Sequence, residues 1–224
     1  MWRLGRVLLP LIFYILIEQL IPTSVKAQDE SEALSEKKLA PIADIVEEAL
    51  VSDKIPGAVV LIGNRGKVVY RRAFGHRLIE PKKLLMSVDT IFDLGSLTKV
   101  IATTTALMQL VENGKLCLED RVSAHWLEFK ASGKEEITVR QLLTHYSGLR
   151  PTLDLKREWS GYTEALRMIV AEKPAFPPGT RFLYSDINFI ILGELVHRIS
   201  GQPFEIYCAE KIFKPLGMKD TGFK

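Results

Sequence analysis

The most informative stretch of this sequence is Ile91-Phe92-Asp93-Leu94-Gly95-Ser96-Leu97-Thr98-Lys99, in which an apolar segment leads into a Ser-x-x-Lys pattern. A long helical pattern runs from about Gly95 to Glu112, and Asn113-Gly114 ends it with a predicted glycine cap. Residues three apart lie on one face of a helix. The spacing therefore predicts that the hydroxyl of Ser96 and the ammonium of Lys99 lie close together.

This pair has the residue types that acyl transfer requires. A serine hydroxyl is a poor nucleophile until a neighbouring base takes its proton, and a lysine can serve if its pKa is lowered. The start of a helix also offers free backbone N–H groups that can stabilise an oxyanion. Taken alone, the pattern favours a helix-capping serine followed by a solvated lysine. The apolar lead-in and the apolar, threonine-rich helix after Lys99 favour the catalytic interpretation.

A second candidate element is Tyr184-Ser185-Asp186, which follows a rigid turn at Pro177-Pro178-Gly179-Thr180. A tyrosine hydroxyl can relay a proton when a nearby cation favours its phenolate. By residue type alone, the favoured interpretation of Tyr184 is a loop tyrosine whose ring packs against the core. The element is therefore a candidate relay only in combination with the serine and the lysine.

The remaining pattern predicts few strands and many helices. A helix is predicted over Leu39 to Val51, followed by a hairpin of a buried strand, Ala58 to Ile62, and a second strand, Lys67 to Phe74. Gly75 to Thr90 is predicted to be irregular. Four more helices are predicted, over Val139 to His145, Thr163 to Glu172, Asn188 to Ile199 and Phe204 to Ile212. Two strands alone make a marginal sheet.

The bulk composition excludes several classes of protein. The 224 residues are 47% hydrophobic with a formal net charge of +3, which suits one sizeable core or two small lobes rather than disorder. No long basic run is present, so nucleic acid is not a predicted partner. The histidines show no metal-ligand spacing, so the sequence predicts no metal site; they are His76, His125, His145 and His197.

The N-terminus has the pattern of a secretory signal peptide. Arg3 and Arg6 precede an apolar run, and Val25-Lys26-Ala27 offers a cleavage site, so we expect a signal peptide over 1–27 and a flexible lead-in over 28–38. The alternative is an uncleaved anchor, but Glu18 interrupts the run short of the ~20 apolar residues that span a membrane. We therefore expect an exported protein, periplasmic or extracellular, with membrane association as the alternative.

The chain has two cysteines, Cys117 and Cys208. Export would permit a disulfide between them. The spacing fits two separate small core residues equally well.

Five segments in order resemble one family, the β-lactamase-related serine hydrolases, which include class C β-lactamases, D-Ala-D-Ala carboxypeptidases and esterases. The resemblance covers roughly Leu39 to Lys224. The segments are Ile91 to Lys99, Ile137-Thr138-Val139-Arg140-Gln141-Leu142-Leu143-Thr144-His145-Tyr146-Ser147-Gly148-Leu149, Phe176 to Thr180, Tyr184-Ser185-Asp186, and Ile212-Phe213-Lys214-Pro215-Leu216-Gly217-Met218.

The resemblance implies a fold and a set of roles. The fold is α+β, penicillin-binding-protein-like: an antiparallel sheet with flanking helices and a mainly helical lobe, over 39–224. Ser96 matches the acylated nucleophile and one oxyanion-hole N–H, and Lys99 matches the lysine that helps to deprotonate it. Tyr184 matches the tyrosine of a Tyr-x-Asn motif. No cofactor is implied, and the substrate is a small molecule or is peptidoglycan-like.

The sequence departs from the family pattern at Asp186, where many relatives carry asparagine. An amide can donate to a substrate carbonyl, whereas a carboxylate can only accept. At this substrate-binding position Asp186 can still anchor Lys99, and we expect it to raise the pKa of that lysine. The change argues against efficient β-lactam hydrolysis, and Asn188 is a weak candidate to compensate.

A second departure concerns the family's third motif, a Lys-Thr-Gly or His-x-Gly on a late strand, which this sequence does not contain. Thr221-Gly222 lies in the helical region and does not match it. We therefore expect a C-terminally truncated chain that lacks its last strands, with apolar faces exposed on the hairpin and the first helix. Loss of one oxyanion donor typically lowers the rate by about 10²–10³.

Together these patterns predict a serine hydrolase that forms an acyl-enzyme on Ser96, with an ester or a cell-wall-type amide as substrate. Esterase or peptidase activity is favoured over β-lactamase activity. The alternative from another class is a catalytically inactive fragment that binds muropeptide-like ligands or a partner.

Overall fold

The computed structural model describes residues 36–154 and 158–223, which form two compact units that meet in sequence between Ile91 and Phe92. The predicted signal peptide, 1–27, lies outside the described residues, as does most of the predicted lead-in. Helix α1, Glu36–Leu39, begins inside that lead-in. No helix in the described part is both long and apolar enough to cross a bilayer.

The first unit contains a helix, α2 (Pro41–Val51), and an antiparallel sheet in the order β1-β2-β3, with β1 Gly57–Asn64, β2 Lys67–Leu78 and β3 Leu84–Leu85. The predicted hairpin is confirmed. Asn64 pairs with Lys67 across a two-residue loop, and the loop residues Arg65 and Gly66 have φ values of 49° and 75°. Two consecutive positive φ values are typical of the tight turns that match strand twist.

The prediction of an irregular segment after Phe74 was wrong in part. Strand β2 continues to Leu78, and His76 and Leu78 pair with the two residues of β3. The bend at Gly75, with φ 67°, lies inside the strand; a Cβ there would approach the oxygen of Pro56 to 2.5 Å. The sequence pattern predicts that the strand ends before Gly75, whereas this glycine permits the close approach and the strand continues through it. A two-residue strand gives no periodic signal.

The predicted burial of β1 was also wrong. No residue of β1 is fully buried and Leu61 is exposed, because β1 lies at the edge of the three-stranded sheet that the described residues form. The expected exposure of apolar faces on this unit is observed. Helix α2 has no buried residue, and the exposed apolar side chains of the unit include Ile45, Val51 and Val68.

The second unit is helical. Helix α7 (Asp186–Ser200) crosses its core, with buried residues along most of its length because its apolar positions surround the whole helix. Around it lie a π-helical turn (Lys99–Thr104), α3 (Thr105–Glu112), α4 (Val122–His125), a 3₁₀ helix (Leu127–Lys130), α5 (Val139–Leu143), α6 (Tyr162–Ala171), α8 (Phe204–Cys208) and a second π-helical turn (Ala209–Phe213).

The predicted helices of this unit are confirmed, with their boundaries moved by a few residues. Gly114 has φ 66° and follows α3 as the predicted cap. Thr138 forms a capping box with Gln141 at the start of α5. Two of the predicted helices depart in type: the segment after Ser96 begins with a π-helical turn, and the helix predicted over Phe204 to Ile212 changes to a π-helical turn after Cys208.

The two cysteines are not paired in the structure. Cys117 is exposed and Cys208 is buried in the core of the second unit.

Candidate active site

Ser96 lies at the end of a tight turn that its own neighbours form. The N–H of Gly95 donates to Oδ1 of Asp93 at 2.9 Å, and Gly95 has φ 49°. The backbone N–H of Lys99 then donates to the carbonyl oxygen of Ser96 at 3.1 Å, a short-range bond that begins the helical segment. Side-chain capping of this kind is how Asp stabilises turns. The serine side chain is left exposed at the start of the helical segment.

The π-helical turn that follows is stabilised by threonine hydroxyls. Thr104 Oγ1 donates to the oxygen of Lys99 at 2.8 Å, and Thr105 Oγ1 donates to the oxygen of Val100 at 3.0 Å. Both bonds span five residues, so the hydroxyls satisfy carbonyls that the wider turn displaces. Single π turns inside helices are frequent at functional sites. Here the turn carries Lys99, whose Nζ donates to Ser96 Oγ at 3.1 Å.

Tyr184 and Asp186 are positioned by the buried serine between them. Ser185 Oγ donates to the oxygen of Arg150 at 2.7 Å and accepts from the N–H of Asn188 at 3.4 Å, which makes it the N-cap of α7. The N–H of Asp186 donates to the oxygen of Pro151 at 2.7 Å. These bonds fix the backbone on both sides of the motif.

The segment after α5 is joined closely to the proline-rich turn. The N–H of Gly179 donates to the oxygen of Tyr146 at 2.7 Å, and the N–H of Ala175 donates to the oxygen of Gly148 at 2.8 Å. Gly148 has φ 77°, and a Cβ there would lie 2.0 Å from the oxygen of Phe176. Only glycine permits this approach. The segment that ends at Leu149 and the segment Phe176 to Thr180 are therefore in direct contact through their backbones.

The four predicted site residues are brought together. Tyr184 Oη donates to Ser96 Oγ at 2.8 Å, although 88 positions separate the two residues. Asp186 Oδ1 lies 2.7 Å from Lys99 Nζ. Ser96 Oγ therefore has two donors, and one of those donors is paired with a carboxylate.

The pKa of Lys99 is raised above its ordinary value. Burial opposes the charge, but hydrogen bonds to Asp186 and Tyr184 outweigh this effect. The Lys99 side chain is 15% exposed and that of Asp186 is 53% exposed, so the ion pair lies at the surface of the unit. Lys99 is therefore an ammonium in the free protein near neutral pH, as the sequence departure at Asp186 predicts.

The pKa of Tyr184 is lowered. The largest cause is its hydrogen bond to Lys99, followed by its hydrogen bond to Ser96. The ammonium of Lys99 also lies 5.0 Å from the centroid of the tyrosine ring. Of the two groups that contact Ser96 Oγ, the tyrosine is thus the one whose deprotonated form is favoured.

Asn188 does not compensate for Asp186. Its side chain is fully buried, accepts from Ser147 Oγ at 2.6 Å and donates to the oxygen of Leu142 at 3.1 Å. These bonds tie α7 to α5 and to the segment after α5. Its role in this structure is to join elements of the core.

A family model described as Beta-lactamase matches residues 42–224. The chain belongs to the beta-lactamase family. Its second unit contains the Ser96, Lys99 and Tyr184 pattern from which the resemblance was inferred, and its first unit supplies the antiparallel sheet with a helix.

Relatives in the beta-lactamase family differ in what their names say they act on. The chain is 31% identical to an N-acetylmuramyl-L-alanine amidase of Bacillus subtilis (strain 168) over 86% of its length. The structure of EstCE1, a hydrolase with promiscuous acyltransferase activity, is 27% identical and matches 83% of this chain with a TM-score of 0.73. A class C beta lactamase structure is 28% identical over 84% of this chain, with a TM-score of 0.71.

The chain spans about half the length of these proteins. It covers 48% of the amidase, 53% of EstCE1 and 51% of the class C beta lactamase. The fold seen here is accordingly part of the beta-lactamase fold.

The residue that sequence reasoning missed is His145. Its ring lies 4.5 Å from that of Tyr184 between centroids, and its Nδ1 accepts from the N–H of Ser185 at 3.1 Å. The sequence analysis interpreted His145 only as the end of a short helix. The signal that points to it is its place in the His-x-Ser-Gly stretch that the family resemblance already includes.

Proposed function

We propose that this chain carries the acylation centre of a serine hydrolase, with Ser96 as the nucleophile. The observation that supports this most strongly is the geometry at Ser96 Oγ, which lies 3.1 Å from Lys99 Nζ and 2.8 Å from Tyr184 Oη. A nucleophile in contact with its base, with that base oriented by a third group, is the arrangement that covalent catalysis requires.

Tyr184 is the proposed proton acceptor, with Lys99 as the cation that stabilises its phenolate. The directions of the two pKa shifts support this division of roles, because that of Lys99 is raised and that of Tyr184 is lowered. The state with a protonated Lys99 and a deprotonated Tyr184 holds the same number of protons as the state with a neutral Lys99 and a protonated Tyr184. Each of these states has one proton fewer than the resting pair, in which both groups are protonated.

The reaction proceeds in two halves. Tyr184 takes the proton of Ser96 Oγ as that oxygen bonds to the carbonyl carbon of the substrate, and the carbonyl π electrons move to its oxygen. Collapse of this tetrahedral intermediate breaks the bond to the leaving group, which takes the proton from Tyr184, and leaves an acyl group on Ser96. Water then attacks the acyl carbon and gives a proton to Tyr184, and a second tetrahedral intermediate forms. Its collapse breaks the bond to Ser96 Oγ, which takes that proton back from Tyr184, so the acid leaves and the free serine is restored. General acid–base catalysis of this kind contributes about 10²–10⁴ in rate.

The proposed substrate is an ester or a cell-wall-type amide rather than a β-lactam. Asp186 supports this choice, because its carboxylate is paired with Lys99 and can only accept hydrogen bonds. A substrate amide carbonyl beside it would find no donor from this side chain. An ester that needs no such donor is less affected.

The test is intact-mass labelling of the purified chain with a fluorophosphonate and, separately, with a fluorescent penicillin. We expect one fluorophosphonate adduct, located on Ser96, and slower reaction with penicillin. Ser96→Ala should abolish the adduct. Ser160→Ala removes an exposed serine of the same unit and should leave labelling unchanged.

A folded sample that gives no adduct with either probe would contradict the proposal. That result would favour the non-catalytic alternative, a protein that binds peptidoglycan-like ligands or a partner. Binding of a muropeptide to Ser96→Ala, measured by calorimetry, would then be the next observation.

A further inference from the structure

We propose that His145 is a positioning residue that holds Tyr184 against Ser96, and that it does so only as a neutral ring with its proton on Nε2. This rests on the proposed function of Ser96 and Tyr184. The central observation is that Nδ1 of His145 lies 3.1 Å from the backbone nitrogen of Ser185. A backbone N–H can only donate, so Nδ1 must be the acceptor and the proton of the neutral ring must be on Nε2.

The backbone of His145 is fixed on both sides of its side chain. Its N–H donates to the oxygen of Leu142 at 3.2 Å, and its carbonyl accepts from the N–H of Leu183 at 2.9 Å. Its φ is 61°, in the left-handed region. His145 thus bonds to the residues on either side of Tyr184, through its carbonyl to Leu183 and through Nδ1 to Ser185.

The ring of His145 supports the tyrosine ring by direct contact. The two centroids are 4.5 Å apart with an interplanar angle of 32°, and Phe189 packs at 5.4 Å from the same imidazole. Phe182 lies edge-on at 6.0 Å. The imidazole therefore lies among three aromatic rings and is half-buried.

Charged and titratable groups face His145 from two directions. Lys99 lies on the π-helical turn, Asp186 lies at the start of α7, and the Tyr184 phenol is in ring contact. The Asn188 amide is 3.5 Å from Nδ1. Burial lowers the pKa of His145, and the charge of Lys99 lowers it further against the opposing effect of Asp186. The neutral ring therefore persists to a lower pH than in an ordinary histidine.

Protonation of His145 would place a hydrogen on Nδ1, facing the N–H of Ser185. Two donors cannot bond, so the segment that carries Tyr184 would move away from His145 and the phenol away from Ser96. Activation of Ser96 already requires the loss of one proton from the Lys99 and Tyr184 pair. Below the pKa of His145, that ring must also lose a proton before Ser96 can react. A plot of the logarithm of the acylation rate against pH should therefore change its slope from one to two.

The tautomer can be measured without any activity. Nitrogen-15 NMR of the full chain with labelled histidine distinguishes a pyridine-like Nδ1 from a pyrrole-like one, and His145→Asn identifies the signals among the four histidines. We expect a pyridine-like Nδ1 and a protonated Nε2 at neutral pH. A protonated Nδ1 would overturn the proposal.

The kinetic test compares two matched variants. His145→Asn keeps an acceptor near the Nδ1 position, tolerates the left-handed backbone and does not titrate, whereas His145→Phe keeps a ring without an acceptor. Rates of fluorophosphonate acylation would be measured between about pH 4 and 9, a range that spans ordinary histidine titration. We expect a slope of two at the acidic end for the native chain and one throughout for His145→Asn. His145→Phe should be at least about tenfold slower at every pH.

Parallel profiles for the native chain and His145→Asn would overturn the proposal, as would a His145→Phe variant with native rates. Absence of labelling in the native chain at every pH would instead contradict the function proposed for Ser96. In that case the NMR measurement still decides the tautomer of His145.

Discussion

The carboxylate of Asp186 lies 2.7 Å from the ammonium of Lys99, which also donates to the hydroxyl of Ser96 at 3.1 Å. Lys99 is thus paired with a carboxylate in the free protein, and this ion pair opposes its action as a base. Because Asp186 raises the pKa of Lys99 and opposes the lowering of the pKa of Tyr184, this one carboxylate acts against deprotonation of both groups beside the serine.

Asp186→Asn should therefore increase the reactivity of Ser96. Without the negative charge, the pKa values of Lys99 and Tyr184 fall, so more of the reactive form is present at pH 7 and labelling should be roughly three- to tenfold faster. The measurement is the second-order rate of fluorophosphonate labelling. The rate of labelling by the fluorescent penicillin should increase more than the rate with the fluorophosphonate, because the new amide can donate a hydrogen bond to a substrate carbonyl.

Glu164→Gln is the matched control for Asp186→Asn, because Glu164 pairs with Arg167 on the exposed side of α6. It should leave both labelling rates unchanged. Slower labelling of Asp186→Asn by both probes would show that the carboxylate is needed to orient Lys99.

Tyr184→Phe should lower the labelling rate by about 10²–10⁴, the usual contribution of a general base. The variant loses the hydroxyl that lies 2.8 Å from Ser96 Oγ but keeps the ring that packs on His145. Its thermal unfolding should be close to that of the native chain. Tyr146→Phe, at a tyrosine in ring contact with Phe182, should label at the native rate; equal rates for both variants would exclude Tyr184 as the relay.

Asn188→Ala should destabilise the second unit by about 2–4 kcal/mol, because a buried hydroxyl and a buried carbonyl each lose a partner. Those partners are Ser147 Oγ and the oxygen of Leu142. Urea unfolding followed by circular dichroism gives the free energy of unfolding. Asn113→Ala removes an exposed amide and should change it by less than about 0.5 kcal/mol; similar values for the two variants would contradict the assignment.

Lys134→Met should change how stability depends on pH. Lys134 is fully buried and its Nζ donates to the oxygens of Val170 and Glu172 at 2.7 Å each. Burial lowers its pKa, so above the folded pKa and below the ordinary value the unfolded chain binds more protons. The native chain should gain stability relative to the variant as pH rises through that window, by at most about 1.4 kcal/mol per pH unit.

The measurement for Lys134 is urea unfolding of both proteins from pH 7 to about 10.5, the ordinary lysine pKa. A difference that stays constant over that range would refute the expected linkage. Lys130→Met, at an exposed lysine of the 3₁₀ helix, should change the free energy of unfolding by less than about 0.5 kcal/mol at pH 7.

The two cysteines should react differently with iodoacetamide. Cys117 is exposed, whereas burial, with a smaller effect of Glu205, raises the pKa of Cys208 to about 12. Mass spectrometry should find one alkylated cysteine in the native chain and two in urea. A chain that reacts only after reduction would instead contain the disulfide that export would permit.

Local spacing predicted part of this site and could not predict the rest. The Ser-x-x-Lys spacing was enough to place Lys99 beside Ser96, because a helical turn fixes that distance. No local rule joins Ser96 to Tyr184 across 88 positions, and only the ordered family segments predicted that contact. His145 was missed because ring packing and a bond to a backbone N–H leave no periodic pattern.

The errors in the predicted fold have a similar origin, because they also concern features that no local sequence pattern encodes. Strand β1 was predicted to be buried from its composition, but burial depends on what covers a strand, and β1 lies at the edge of its sheet. The π-helical turn after Ser96 was interpreted as α-helix, because the periodicity of one turn does not distinguish them. Its threonine hydroxyls, bonded five residues back, are visible only in the structure.

Ser185 has a consequence for how the reactivity proposed for Ser96 would respond to heating. The buried hydroxyl between Tyr184 and Asp186 is bonded to the oxygen of Arg150 and begins the helix that crosses the core. Any fluctuation that frees this hydroxyl displaces the phenol and the carboxylate at once. Inactivation on heating should then be abrupt rather than graded, and the chemical reactivity of Ser96 becomes a reporter on the integrity of a core that it does not itself enter.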